Sequence, residues 1–292
     1  MAVISRDKTY PKTTRPVSSA LNRSRPRWTK DAWQLLSLPF VLFIVIPLIA
    51  LFSRITLADV LVTLQQEQAQ QAIRVSLTTS LTTVLVTLLL GTPVAYHLSH
   101  PQARFHRVLD TLIDLPTVLP PAVAGLSLLV AFGRRGLLGE WFTILGFTIP
   151  FTPVAVIMAQ TFIAAPLYIK AAALGFASVD AELKRAASMD GAGRWQVFRF
   201  VIVPMSWMAL LGGCVLTWAR ALGEFGATII FAGNFPGRTQ TMPLAIYLGF
   251  EIDLNVALTL SVILVGLSFA ILILVKRFLH NHIEASPASE EY

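Results

Sequence analysis

The sequence predicts an all-α, polytopic membrane protein of about six transmembrane helices, and three observations predict it. Of 292 residues, 55% are hydrophobic and only 13% charged, with a mean hydropathy of +0.67. That is too apolar for a water-soluble globule. Apolar runs long enough to cross a bilayer recur along the chain between short polar turns. The basic residues behind the net charge of +7 sit at the flanks of those runs, as membrane proteins require, which argues against nucleic-acid binding.

Residues 1–33 are rich in Arg, Lys, Pro, Ser and Thr without apolar periodicity and are expected to be a disordered basic tail. The run from Gln34 to Ser53 is about bilayer length, and no small-residue cleavage site follows, so it is expected to stay as the first span. Leu57 to Gln71 reads as an amphipathic helix outside the membrane, and a threonine-rich second span follows over about 73–96. His97 to Asp110 is expected to be a polar turn. Its three histidines, His97, His100 and His106, match no familiar metal spacing and fit a solvated loop.

The third span starts at Asp114 with three prolines, Pro116, Pro120 and Pro121, so it is expected to begin broken or kinked before running to Phe132. An outside loop covers 133–150, and a fourth span covers about 152–175, interrupted by Pro166. The fifth span is expected over about 205–231 and the sixth over about 254–275. The linker between them, 233–250, ends in an apolar part, Met242 to Phe250, able to dip into the membrane. The tail is expected to begin at 279. The lone Cys214 lies in an apolar run, so no intrachain disulfide forms.

With the N-terminus inside, 17 basic residues fall on inside segments and four, Arg54, Arg134, Arg135 and Arg238, on outside ones. That imbalance predicts both termini, and the 181–204 segment, on the cytoplasmic side.

The segment 181–204 is a conspicuously polar stretch between apolar runs. A run of helix formers, Glu182 to Ala187, meets Asp190-Gly191-Ala192-Gly193, and a second amphipathic piece ends at Pro204. Two short helices and a glycine elbow make a compact knob. From composition alone it is either an ordinary interfacial loop or a docking element.

Inside the fifth span lie Arg220 and Glu224, four residues apart and able to pair on one helix face. Ionisable groups in a span are costly, on the order of 2.5–3.5 kcal/mol each, and face a partner or a water-filled path. The pair either only positions helices or also lines a pathway, where an arginine would attract an oxyanion.

The spacing Ala186-Ala187, three residues, Gly191, nine residues, then Val201-Ile202-Val203-Pro204 resembles the coupling-loop motif of ABC importer permeases. Arg185 stands where that family usually has glutamate. The run Ala219 to Thr228, including Arg220, Gly223, Glu224 and Gly226, resembles the segment shared by molybdate, tungstate and sulfate permeases. Gly233 to Tyr247, with Thr239 and Gln240, is closer to the molybdate members, and Asp114 to Gly125 matches their third-span start. The likeness covers roughly residues 34–278.

The resemblance implies a type I importer permease domain over 34–278, acting as a homodimer in the bacterial inner membrane. It would work with two ATP-binding subunits and an external oxyanion-binding protein. Glu182, Arg185, Ala186, Ala187, Gly191 and Pro204 would then meet the ATPase. Asp114, Pro116, Pro120, Arg220, Gly223, Glu224, Gly226, Thr239 and Gln240 are the pathway or gate candidates. ATP and magnesium would be bound by the partner ATPase and no cofactor by this chain, which has no phosphate-cradling Gly-Lys-Ser/Thr loop. An ion-gradient transporter would favour an unpaired mid-membrane acid and matching half-repeats, and neither stands out. An enzyme is disfavoured because no convergent catalytic set is visible.

Overall fold

The computed structural model describes residues 28–100 and 106–284, whose regular structure is all helical. Residues 1–27 of the expected tail lie outside these, while Trp28 to Trp33 form the first turns of a helix instead of a tail. At the other end, helix continues to Glu284, past the expected tail start, and 285–292 lie outside the described residues.

The chain divides into two units, residues 1–50 and 51–292. The first holds most of α1 (Trp28–Ser53). Between residues 35 and 50 every side chain is exposed, and none is charged. A helix satisfies its own backbone, so such a surface suits hydrocarbon.

The second unit is built around α7 (Pro153–Ser178), the most buried of the long apolar helices. Before it come α2 (Leu57–Gln65), α3 (Glu67–Leu98), α4 (His106–Val118), α5 (Pro121–Phe132) and α6 (Gly139–Ile144). After it come α8 (Ala181–Met189), α9 (Arg194–Val197), a π turn (Phe198–Ile202), α10 (Val203–Met205) and α11 (Trp207–Leu222). The chain then makes α12 (Gly226–Ala232), α13 (Met242–Ile252) and α14 (Leu254–Glu284).

Four helices are long and apolar enough to span a membrane, and two bent pairs raise the total to six among the described residues. The third span is one bent pair: α4 and α5 meet at 115°, broken where Pro120 cannot extend a helix. Here His106 to Asp110 belong to α4, not to the expected polar turn. The fifth span is not the continuous helix expected over 205–231. It stops at Leu222 and restarts at Gly226, because Gly223 caps α11 and Glu224 turns inward.

Two clusters pack on α7. Tyr168, Ile169, Ala172 and Phe176 meet Ala95 and Leu98 of α3, while Val156, Ala159 and Ile163 meet Ala124 and Leu128 of α5 and Phe231 of α12. Lipid gives no hydrophobic drive between helices, so small residues and polar contacts hold them together. Thr83 Oγ1 donates to Gln160 Oε1 at 3.0 Å, Trp218 Nε1 donates to Ser80 Oγ at 2.8 Å, and Thr92 and Tyr168 hydroxyls lie 2.6 Å apart. Of the threonines in this span, Thr79, Thr83 and Thr87 are buried, whereas Thr78 and Thr82 are exposed.

The half-helices α5 and α12 touch at the backbone. A Cβ on Gly125 would lie 2.7 Å from the Ala227 carbonyl oxygen, and one on Gly226 would lie 2.8 Å from Pro121 Cβ. Gly125→Leu is therefore expected to force these segments apart at a cost of about 1–3 kcal/mol or more. Gly212→Ala, where a Cβ meets nothing within 4 Å, should be neutral or stabilise by up to about 1 kcal/mol. Thermal unfolding of the detergent-solubilised chain checks both. Equal midpoints for the two variants would contradict the backbone contact.

Candidate coupling knob and pathway break

The knob is exposed on one side and anchored on the other. Helix α8 has no buried residue, and Asp180 caps its N-terminus by accepting from the Glu182 N–H at 2.8 Å. Glu182, Arg185 and Ala186 are exposed, Ala187 is half-buried, and Met189 is 82% exposed at the tip. The helix ends through Gly191 at φ +88°, with the Ala192 N–H reaching back to the Ala187 carbonyl at 3.1 Å. That left-handed position strains any residue with a Cβ, although a Cβ there would meet nothing within 4 Å.

The second piece begins at Gly193, whose N–H donates to Gln196 Oε1 at 2.7 Å. Its inner face sends Val197 and Ile202 into the α3–α7 core, burial worth about 1.5–3 kcal/mol per side chain. Phe198 packs edge-on to Tyr96 of α3 at 4.9 Å and to Phe176 of α7 at 5.7 Å.

Pro204 does not close this helix as expected. It lacks the N–H that would bond Phe200, and the turn before it widens, the Val203 N–H reaching the Phe198 carbonyl. The helix runs on to Met205 and bends by 72° into α11 at the buried Ser206. Ser206 Oγ donates to the Gly175 carbonyl at 2.9 Å, tying the bend to α7.

At the far end of α11 is the break. Glu224 is 1% exposed and satisfied on both carboxylate oxygens. Oε2 accepts from Arg220 at 2.7 Å, and Oε1 accepts from the Ala227 N–H at 2.9 Å in the first turn of α12. The pairing read from the sequence is present, but Glu224 makes it from beyond the helix end. Arg220 is about a third exposed and Gly223 is exposed, so the pair has one wet and one dry member. Removing one partner of a buried charge pair costs about 3–5 kcal/mol.

Pro121 is brought to this break through Gly226 and the α5–α12 contact, while Pro120, just before α5, is exposed. Asp114 and Pro116 lie earlier, on α4. Asp114 accepts from Lys170 of α7 at 2.9 Å, and Asp110, one turn back, accepts from the same ammonium. Sequence reasoning missed Lys170 and Asp110 as partners. The signal was a lysine inside an apolar span and two aspartates four apart.

Thr239 and Gln240 are buried rather than facing an open path. Thr239 Oγ1 accepts from the Phe235 N–H at 3.1 Å and closes the turn. Gln240 lines a cavity of about 240 Å³ with Gln66, Gln68 and Asp253. The loop is fixed to α3 where the Met242 N–H donates to Ser76 Oγ at 2.6 Å, and Met242 packs with Leu222 and Ala72 beside the break. Another residue the sequence did not single out is Gln160, 1% exposed, whose Nε2 has no partner among the described residues. Among those residues, no cluster of His, Cys, Asp or Glu could hold a metal.

The chain is similar to known transport permeases in sequence and fold. A molybdenum transport system permease protein, ModB, of Mycobacterium tuberculosis is 36% identical over 240 residues, 82% of this chain and 89% of its own length. ModB of Escherichia coli is 40% identical over 181 residues, 61% of this chain and 78% of its own. A solved bacterial ABC transporter involved in import of the acidic polysaccharide alginate superposes with a TM-score of 0.69 at 16% identity. It covers 87% of this chain and 96% of that one, a likeness of fold. The model of the binding-protein-dependent transport system inner membrane component family matches residues 87–287. With six candidate spans, a knob after the fourth and relatives that are permeases along most of their length, the chain belongs to that family of transport permeases.

Proposed function

We propose that this chain is the membrane-spanning subunit of an ATP-driven importer of molybdate, with the knob on the cytoplasmic face. It works as a homodimer with two ATPase subunits and an external oxyanion-binding protein. The observation that carries the substrate is the 36–40% identity to molybdenum permeases over most of their lengths. The family's dependence on a binding protein supports the external partner, and the 17-to-four distribution of basic residues supports both termini inside.

The knob supports the ATPase partner. Its outer surface exposes Glu182, Arg185, Ala186, Met189 and Gly191, while Val197, Ile202 and Phe198 lock its inner surface to α3 and α7. A push on the outer surface therefore reaches the spans without being lost in a floppy loop. Through the bend at Ser206 it reaches α11, whose other end carries Arg220, Gly223 and Glu224. At that break the partly exposed Arg220 supplies the positive charge an oxyanion needs. Gly226, packed on Pro121 behind it, and Pro120 at the break of the third span are the pivot of the gate. Asp114 and Asp110, with Lys170, tie the first arm of the third span, which also carries Pro116, to α7. Thr239 and Gln240 support the gate by holding the loop that packs beside it.

The test is uptake of labelled molybdate into vesicles holding this chain, its ATPase and its binding protein. ATP-dependent uptake that resists excess sulfate is expected, with tungstate competing. Uptake indifferent to ATP but lost with the ion gradient would overturn the coupling, and strong sulfate competition would overturn the substrate.

At Gly191 space and backbone make separable predictions. Gly191→Ala meets only the left-handed backbone cost, about 1–2 kcal/mol, and should keep most uptake. Gly191→Glu should abolish uptake while membrane content stays at the wild-type level, because its bulk strikes the ATPase and nothing within this chain. Loss of the Glu variant from the membrane would make the elbow structural instead.

A further inference from the structure

We propose that the groove between the end of α3 and the knob holds one anionic phospholipid of the adjoining leaflet. The groove encloses about 1100 Å³. It runs from Leu88 and Leu89, inside the span, past Pro93 to His97 and His100 where α3 ends. From Leu88 to His100 is about 18 Å at 1.5 Å per residue. That matches one leaflet, about 15 Å of hydrocarbon plus the start of the headgroup layer.

The chemistry changes along that length in the order a phospholipid requires. Leu88, Leu89 and Pro93 offer an acyl chain an apolar wall. At the other end Lys184 of α8 and Arg194 of α9 join the two histidines, and among the described residues no acidic side chain lines the groove. Lys184 Nζ donates once, to the Phe176 carbonyl at 3.1 Å, and an ammonium has two further N–H groups. His100 Nδ1 lies 2.9 Å from the Tyr96 carbonyl. Trp195, 67% exposed, stands on the rim as aromatic side chains do at the membrane–water boundary.

Other occupants answer only one end of the groove. A water-soluble ATPase surface could meet the basic end but could not enter hydrocarbon to cover Leu88 and Leu89. An uncharged helix such as residues 35–53 of a second copy could cover the apolar end, yet it brings no anion to four basic side chains. A lipid with an anionic headgroup answers both. This inference rests on the chain crossing a membrane and not on what it transports, so its failure would leave the uptake reading untouched.

The full chain, purified in mild detergent, is offered phosphatidylglycerol and phosphatidylcholine of equal acyl length, and bound lipid is counted by native mass spectrometry. About fivefold preference for phosphatidylglycerol is expected, falling at least about threefold in Lys184→Gln/Arg194→Gln and, separately, in His97→Gln/His100→Gln. The two pairs sit on different elements, so misfolding of one variant, seen by circular dichroism, leaves the other as the test. A phosphatidylglycerol carrying a photoreactive acyl chain should label the peptide around Leu88 to Pro93. Equal retention of the two lipids, displacement by millimolar inorganic phosphate alone, or labelling elsewhere would overturn the proposal. So would a disulfide between two copies of Leu89→Cys, which would place protein in the groove.

Discussion

The buried carboxylate of Glu224 is the contact on which the broken fifth span depends. A helix that stops inside a membrane leaves backbone N–H groups with no water to satisfy them, each worth several kcal/mol if orphaned. Glu224 answers this by accepting from the Ala227 N–H in the first turn of α12 while Arg220 neutralises its charge. One side chain thus ties the last turn of α11, capped by Gly223, to the first turn of α12. The same residue whose N–H Glu224 holds, Ala227, is the one that Gly125 of α5 approaches at the backbone.

That break is joined to the knob by a single rigid piece. Helix α11 is 16 residues long, or about 24 Å, with Ser206 bonded to α7 at one end and Gly223 free of close contacts at the other. The knob grips the ends of α3 and α7 through Val197, Ile202 and Phe198. In the proposed coupling, displacement at the Gly191 elbow would pass along these packed helices. The Lys170 contacts to Asp110 and Asp114 fasten the third span to the same helix, α7, so both broken spans share one frame.

Much of this was legible in the sequence. Long apolar runs give away spans because nothing but hydrocarbon explains them: α3 and α7 lie within several residues of where they were expected, and α14 starts where expected but runs on past its expected end. The glycine elbow was legible because Asp-Gly after helix formers has few other outcomes, and the broken third span because proline cannot hide in a helix. The second break was not legible. Gly223-Glu224-Phe225 sits in a run that reads as uninterrupted helix, and what stops it is a tertiary event, the Glu224 carboxylate reaching the next helix. Lys170 was equally opaque as a partner, since Asp110 and Asp114 lie 60 and 56 residues away in the chain. Pro204 misled in the opposite direction: the helix absorbed it by widening one turn.

The central claim is that the exposed break at Gly223 opens and closes with the state of the ATPase. It is tested most directly by the reactivity of Gly223→Cys toward a water-soluble maleimide, in vesicles carrying the complete transporter. The position tolerates the change, since a Cβ would have as its nearest neighbour the Ala219 carbonyl oxygen at 3.7 Å. Thr217→Cys, at a fully buried site, is the control. Labelling of residue 223 that changes severalfold between nucleotide-free and ATP-trapped states, with residue 217 silent in both, is the predicted result. Equal labelling of residue 223 in the two states, or none in either, would contradict the account.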